Sequence, residues 1–272
     1  MPLLTLSEIE QAAPVFRGRF GNILAGFLMK ALAVDRINGL YDRNCSHSGP
    51  DFAKAILEDI GVKYTVYGRE KLASLPHGSF ITVSNHPYGS IDGIILADLF
   101  GHIRPDYKLI VNKILSRIKA LDPCFINVTP TGNEHTAPTK DSIAGIKEAM
   151  RHVRDGHPLG IFPAGAVSDL SLRERCVRDR EWQLPIIQLI AKLGVPVLPV
   201  KFLDRNSDFY YSLGLIDWRV RLLRLPSEVF NKKGRPVRVA CGDVIPPEKL
   251  RSFSSAEALG AYLRSVLYGL HQ

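Results

Sequence analysis

The segment FITVSNHPYGSIDG, residues 80–93, sets a histidine and an aspartate, His86 and Asp92, in one short stretch of changing character. An apolar strand-like run ends at Ser84, releases Asn85, His86 and Pro87 into a turn, and gives way to a helix beginning near Ser90. That order puts His86 at a strand's end and Asp92 in the first helical turn, where the helix dipole favours a carboxylate. A carboxylate so placed can orient an imidazole. Near neutral pH the imidazole is largely unprotonated, and with that partner it can take a hydroxyl proton. No covalent enzyme nucleophile is then required. The same residues also fit a plainer account, in which His86 closes a turn and Asp92 caps a helix.

A second stretch, IFPAGAVS, residues 161–168, reads as a strand running into a tight turn. Backbone amides near Gly165 can bind an anion, and those near Gly89 or Gly165 can stabilise a developing oxyanion. Beyond it, LSLRERCVRDREW carries Arg173, Arg175, Arg178 and Arg180, able to engage a phosphate or carboxylate headgroup. A solvated basic loop, interleaved with Glu174, Asp179 and Glu181, explains that run equally well. LGLIDWRVRLLRLP mixes Leu213, Leu215, Ile216, Trp218, Val220, Leu222 and Leu223 with Arg219, Arg221 and Arg224. It suits either a lipid interface or a buried helix with a basic outer face, and the arm Gly21 to Val34 carries the same two readings.

The elements that position these residues are read from periodicity. Strand-like runs recur at Val62–Tyr67, Phe80–Val83, Leu109–Val111, Gly160–Phe162, Val197–Phe202 and Val237–Cys241. Helices fall between them. The clearest is Asp141–Arg154, with Ile143, Ile146, Met150 and Val153 on one face, Thr139 as cap and Gly156 past its end. Another spans Leu184–Leu193. This alternation predicts an α/β domain with a largely parallel sheet flanked by helices, and ligands at the carboxyl ends of its strands. No repeat or long linker divides the chain, so we expect an N-terminal helical arm over residues 1–50, in possible contact with a membrane, and one catalytic domain over residues 51–272.

Composition narrows the functional class. With 272 residues and 46% hydrophobic content the chain can bury a substantial core. Its four cysteines, Cys45, Cys124, Cys176 and Cys241, are too scattered for a disulfide framework or a zinc site. The start MPLLTLSEIEQ lacks a signal-peptide pattern, and Ile23–Val34 is too short to span a bilayer. A cytoplasmic protein, peripheral at the inner face of the membrane, is expected. The net charge of +8 and pI near 9.3 point to an anionic partner. An anionic membrane surface satisfies that charge, whereas no nucleic-acid-binding fold is evident. A serine hydrolase would display Gly-x-Ser-x-Gly, which is absent from the sequence.

NHPYGSIDG followed about seventy residues later by IFPAGAVS resembles the paired motifs of the PlsC-like glycerolipid and lysophospholipid acyltransferase family. By that resemblance His86 is the general base and Asp92 its orienter. The expected substrate-binding set is Asn85, Gly89, Ser90, Phe162, Pro163, Ala164, Gly165, Ser168, Arg173 and Arg175. The donor would be an acyl carrier protein or acyl-CoA thioester and the acceptor the hydroxyl of a lysolipid, with no metal or organic cofactor. The non-enzymatic alternative is a membrane-binding, lytic protein.

Two features depart from the common family pattern. Five residues rather than four separate His86 from Asp92, an insertion that Gly89-Ser90 can absorb. Ala164 and Val167 stand where the family commonly has Glu and Arg. The NHP form with FPAG is similar to a bacterial branch often labelled hemolysin-like, which includes ornithine and glycine aminolipid acyltransferases. An Asp-x-Glu-Trp element such as Asp179–Trp182 accompanies it there. The departure implies an acceptor whose headgroup is read elsewhere, an aminoacyl lipid among them. A later strand, VPVLPVKF, is expected to lie beside the site with Pro199 shaping the acceptor pocket.

Overall fold

The computed structural model of the chain describes residues 33–129 and 140–271. Most of the arm expected over residues 1–50 therefore lies outside the described residues, as does the Thr139 cap. From the arm's described end, helix α1 (Val34–Asn44) sends Leu40 into the main core.

A seven-stranded sheet forms the centre, in the order β1-β9-β8-β2-β5-β3-β4. Its strands are β1 (Tyr64–Tyr67), β2 (Ile81–Ser84), β3 (Lys108–Asn112), β4 (Phe125–Val128), β5 (Leu159–Ile161), β8 (Val197–Phe202) and β9 (Val237–Cys241). Between β5 and β8 a separate antiparallel hairpin is made by β6 (Asp169–Ser171) and β7 (Cys176–Arg178). All sheet pairings are parallel except β8 with β9. Two helices, α6 (Asp208–Ile216) and α7 (Trp218–Phe230), connect those strands. They leave the chain at the carboxyl edge of β8, so β9 enters there and runs back.

β2 sits at the middle of the sheet and is buried along its whole length, the pattern of a parallel strand covered on both faces. The period-2 alternation of side chains divides the core. Ile81 and Val83 of β2 and Val197 of β8 face one layer, packed by α4 (Lys140–Arg154), α5 (Leu184–Leu193) and α9 (Ala256–Tyr268) through Val153, Ile187, Ile190 and Leu263. Leu198, Val200 and Phe202 face the opposite layer with α2 (Gly49–Asp59) and α3 (Ile91–Ile103), through Phe52, Ile56, Ile95 and Phe100. α3 is apolar almost all round because it is buried almost all round.

Two local readings are corrected and one strand is added. FINV forms β4, although only four residues with Asn127 among them give little periodic signal. LGLIDWRVRLLRLP is broken at Asp217 into the end of α6 and most of α7. Pro199 lies in an internal strand, where its missing N–H falls between the β9 ladder, which begins at Val200, and the Val197–Ile245 bridge. Its ring closes on Gly242, whose added Cβ would sit 2.7 Å from Pro199 Cγ. Pro199 thus packs against the chain after β9.

At the centre of the sheet, Gly160 of β5 leaves room for Tyr107, whose hydroxyl bonds Thr82 of β2 at 2.6 Å. A methyl group on Gly160 would overlap that hydroxyl and the Leu109 side chain. Gly160→Ala is therefore expected to destabilise the fold by about 1–3 kcal/mol, seen as a lowered urea midpoint. An unchanged midpoint would mean that Tyr107 moves aside without loss.

Candidate active site

Strand β2 delivers the chain to the carboxyl edge of the sheet, and residues 85–90 turn there before α3 begins at Ile91. The turn is shaped by one buried carboxylate. Asp92 Oδ2 accepts the backbone N–H groups of Tyr88 at 3.0 Å and Gly89 at 3.2 Å, and Oδ1 accepts Gly93 N–H at 3.0 Å. His86 Nδ1 lies 2.8 Å from the same Oδ2. A carboxylate receiving three amide donors is an acceptor, so the shared proton resides on Nδ1 and the lone pair on Nε2. The fifth residue between His86 and Asp92 is absorbed by Gly89, whose φ of +74° is a left-handed conformation. A side chain there would also meet Val167 Cγ2 at 2.5 Å.

Strand β5, the neighbour of β2, supplies the opposite wall. Phe162 follows it directly and stacks on the His86 ring with centroids 4.1 Å apart. The imidazole keeps 18% of its side-chain surface exposed, whereas Asp92 keeps none. Pro163 and Ala164 are strapped to the start of α5 by Gln183, which donates its backbone N–H to Pro163 O and its side-chain amide to Ala164 O. Ser168 N–H donates to His86 O at 3.0 Å, joining the two loops.

Several expected substrate contacts have other duties. Asn85 spends both ends of its amide on β8, donating to Phe202 O at 2.9 Å and accepting from Phe202 N–H at 2.7 Å. The N–H of Gly89 goes to Asp92, and that of Gly165 goes to Phe162 O, so neither glycine offers a free amide to an oxyanion. Arg173 and Arg175 sit in the exposed turn of the β6–β7 hairpin. Ser90, by contrast, occupies the position before α3 with no side-chain cap bond.

Three groups at the site escaped the sequence reading. Arg221, expected on either a lipid interface or the basic outer face of a buried helix, is 2% exposed and donates to Ser168 O at 3.0 Å while pairing with Asp169. Tyr211 of α6 donates its hydroxyl to Pro87 O at 2.6 Å. Asp179 accepts from His86 N–H, Ser168 Oγ and Trp182 Nε1. Only Asp179 had a sequence signal, in the Asp-x-Glu-Trp element, and nothing there named its partners.

Electrostatics around the imidazole are opposed. Burial pushes the His86 pKa down, while the charge of Asp92, the hydrogen bond to it and the charge of Asp179 push it up. The upward causes win, and the imidazole titrates above its ordinary 6.5.

An oriented, partly exposed imidazole at the carboxyl edge of a parallel-sheet domain is able to accept a proton from a bound hydroxyl. The sequence profile described as Acyltransferase matches residues 9–271, and the chain belongs to that family of enzymes. It is similar to the lyso-glycine lipid O-acyltransferase of Bacteroides thetaiotaomicron, 28% identical over 91% of this chain and 89% of that one. The enzyme described by the same words from Phocaeicola vulgatus is 26% identical over 91% of this chain and 87% of its own length. Among solved structures, the 1-acyl-sn-glycerophosphate acyltransferase PlsC of Thermotoga maritima superposes with a TM-score of 0.48 at 19% identity. That match covers 80% of this chain and 79% of that one.

Because the folded protein holds the His86 proton more tightly than the unfolded chain does, the stability it contributes is complete below pH 6.5 and fades as pH rises through the folded-state value. Asp92→Asn removes the largest upward cause and leaves burial dominant. The His86 ring in that variant is expected to titrate below 6.5 by NMR. A titration still above 6.5 would assign the upward shift to another group.

Proposed function

We propose that this acyltransferase moves a fatty acyl group from a thioester donor, acyl carrier protein or coenzyme A, to the hydroxyl of a lysolipid, with His86 as general base and Asp92 as its orienter. The observation that carries this reading is the 2.8 Å contact between His86 Nδ1 and Asp92, which leaves Nε2 as the acceptor on a partly exposed ring. The names of the similar bacterial enzymes add the acceptor class, a lyso-glycine lipid.

In this mechanism Nε2 takes the proton of the acceptor hydroxyl as its oxygen attacks the thioester carbonyl. Asp92 steadies the imidazolium that forms. The tetrahedral intermediate then collapses, the C–S bond breaks, and the imidazolium returns the proton to the departing thiolate. An ester and a free thiol result. Ser90, Phe162, Pro163, Ala164 and Ser168 line or brace the turn where the acceptor would approach, and Asn85 fixes that turn to β8.

The acceptor's home would be a lipid surface. Leu172 on the hairpin turn, Phe209, Leu215 and Ile216 on α6 and Leu222 on α7 are exposed, with Ile216 at 80%. Leu215 and Ile216 share with Leu170 of the hairpin the lining of a cavity of about 480 Å³, in which Arg180 and Arg221 both pair with Asp169. Exposed apolar groups on a chain of net charge +8 favour an anionic bilayer. No described helix is long and apolar enough to cross one. Peripheral attachment to the inner face of the membrane follows from this reading.

The first test incubates wild-type and His86→Ala protein with each thioester and a panel of lysophospholipids and lyso-aminolipids, following diacyl products by mass spectrometry. Transfer is expected to fall about 10²–10⁴-fold in the variant. The acid limb of the wild-type pH profile is expected above 6.5, since the base must be unprotonated. Equal transfer by both proteins would remove His86 from the chemistry. Replacing Leu215 and Ile216 together by Glu is expected to abolish sedimentation with anionic phospholipid vesicles. Undiminished binding would place the membrane contact elsewhere.

A further inference from the structure

Asp179 lies in the stretch between the β6–β7 hairpin and α5, far from His86 in sequence, and is 4% exposed. Its carboxylate has three hydrogen-bonding contacts. Oδ1 accepts the backbone N–H of His86 at 3.1 Å and Ser168 Oγ at 2.6 Å, and Oδ2 accepts the indole N–H of Trp182 at 3.3 Å. All three donors are neutral. The cations nearby are committed elsewhere. Arg264 of α9 donates to the main-chain carbonyl of Asp179, Arg178 of β7 stands over the Tyr268 ring, and Lys201 of β8 donates to Tyr268 O and Leu270 O. Tyr268 itself accepts Asp179 N–H at 2.8 Å, so the residue is pinned from main chain and side chain alike.

Burying a carboxylate without a cation is costly unless something compensates it. The ionisable group beside this one that can gain a positive charge on the enzyme is the His86 imidazole. We propose that Asp179 is a second positioning carboxylate of the active centre, which clamps His86 through its backbone N–H and supplies a negative charge against which the imidazolium forms.

His86 then sits between two carboxylates of different kinds. Asp92, on α3, holds the ring through Nδ1. Asp179 holds the main chain, and its charge reaches the ring only through space. Ser168 completes the clamp: its N–H takes His86 O, and its hydroxyl takes the oxygen of Asp179 that also receives His86 N–H. The titratable groups facing the imidazole are thus Asp92 and Asp179. Those facing Asp179 are His86, Tyr268 and, at their remove, Arg264 and Arg178. The two groups act on each other in the expected sense, Asp179 raising the His86 pKa and His86 lowering that of Asp179, against a burial that by itself pushes the Asp179 carboxyl up.

The inference rests on His86 being the base, and the test separates the two. Asp179→Asn keeps the size and one acceptor oxygen but removes the charge. It is expected to lower the acid limb of the kcat/KM profile by about one pH unit and kcat about tenfold. Asp179→Glu is expected to restore the limb. The unaltered protein gives an independent reading, because the Asp179 13Cγ resonance, identified by its loss in Asp179→Glu, should show an inflection at the pH where His86 titrates. An unmoved limb in Asp179→Asn, or no such inflection, would overturn the inference, whatever happens to kcat. Full transfer by His86→Ala would instead overturn the base assignment beneath it.

Discussion

The carboxylate of Asp92 is the constraint on which the site depends. It is fully buried, and a buried carboxylate must be met by donors. The donors are the N–H groups of Tyr88, Gly89 and Gly93 and the imidazole of His86, so satisfying one charge also folds the turn, starts the helix and selects the tautomer of His86. These effects cannot be separated by sequence position. Moving the carboxylate would release the turn, and opening the turn would leave the carboxylate unmet. The left-handed backbone of Gly89 belongs to the same knot, because the extra residue before Asp92 is accommodated where a side chain would strike Val167.

Around that knot the protein ties two loops that leave adjacent parallel strands. β2 and β5 end side by side, and their extensions are cross-linked by Ser168 N–H to His86 O, by the Phe162 ring on the imidazole and by Asp179 bridging both. The helical pair α6–α7 adds a further brace. Tyr211 holds Pro87 O and Arg221 holds Ser168 O. A segment with the look of a surface amphipath therefore divides its labour. Leu215, Ile216 and Leu222 face outward, while Arg221 turns inward to secure the loop that carries the FPAG motif. The same insertion returns the chain to the carboxyl edge and so makes β9 run against β8.

What the sequence determined by itself is local. Alternating apolar runs and turn residues specify where β2, β8, β9 and α5 lie, since period-2 and period-3.6 burial are written in neighbouring residues. His86 and Asp92 are legible because both sit within one strand–turn–helix unit, and the pairing of NHPYGSIDG with FPAG makes the acyltransferase resemblance specific. β4 and the β6–β7 hairpin were not legible, being runs of three or four residues with too little periodicity to stand out from loops.

What only the tertiary structure decided is the assignment of polar groups to partners. Asn85 belongs to β8, Gly165 N–H to Phe162, Arg221 to Ser168 and Asp179 to His86. Each of these bonds except the Gly165 turn joins residues far apart in the chain. A residue type announces that a donor or acceptor exists, but which group meets it depends on how strands from distant segments are ordered in the sheet. The sheet order β8-β2-β5 brings those segments together, and burial then obliges each polar group to take the partner within reach.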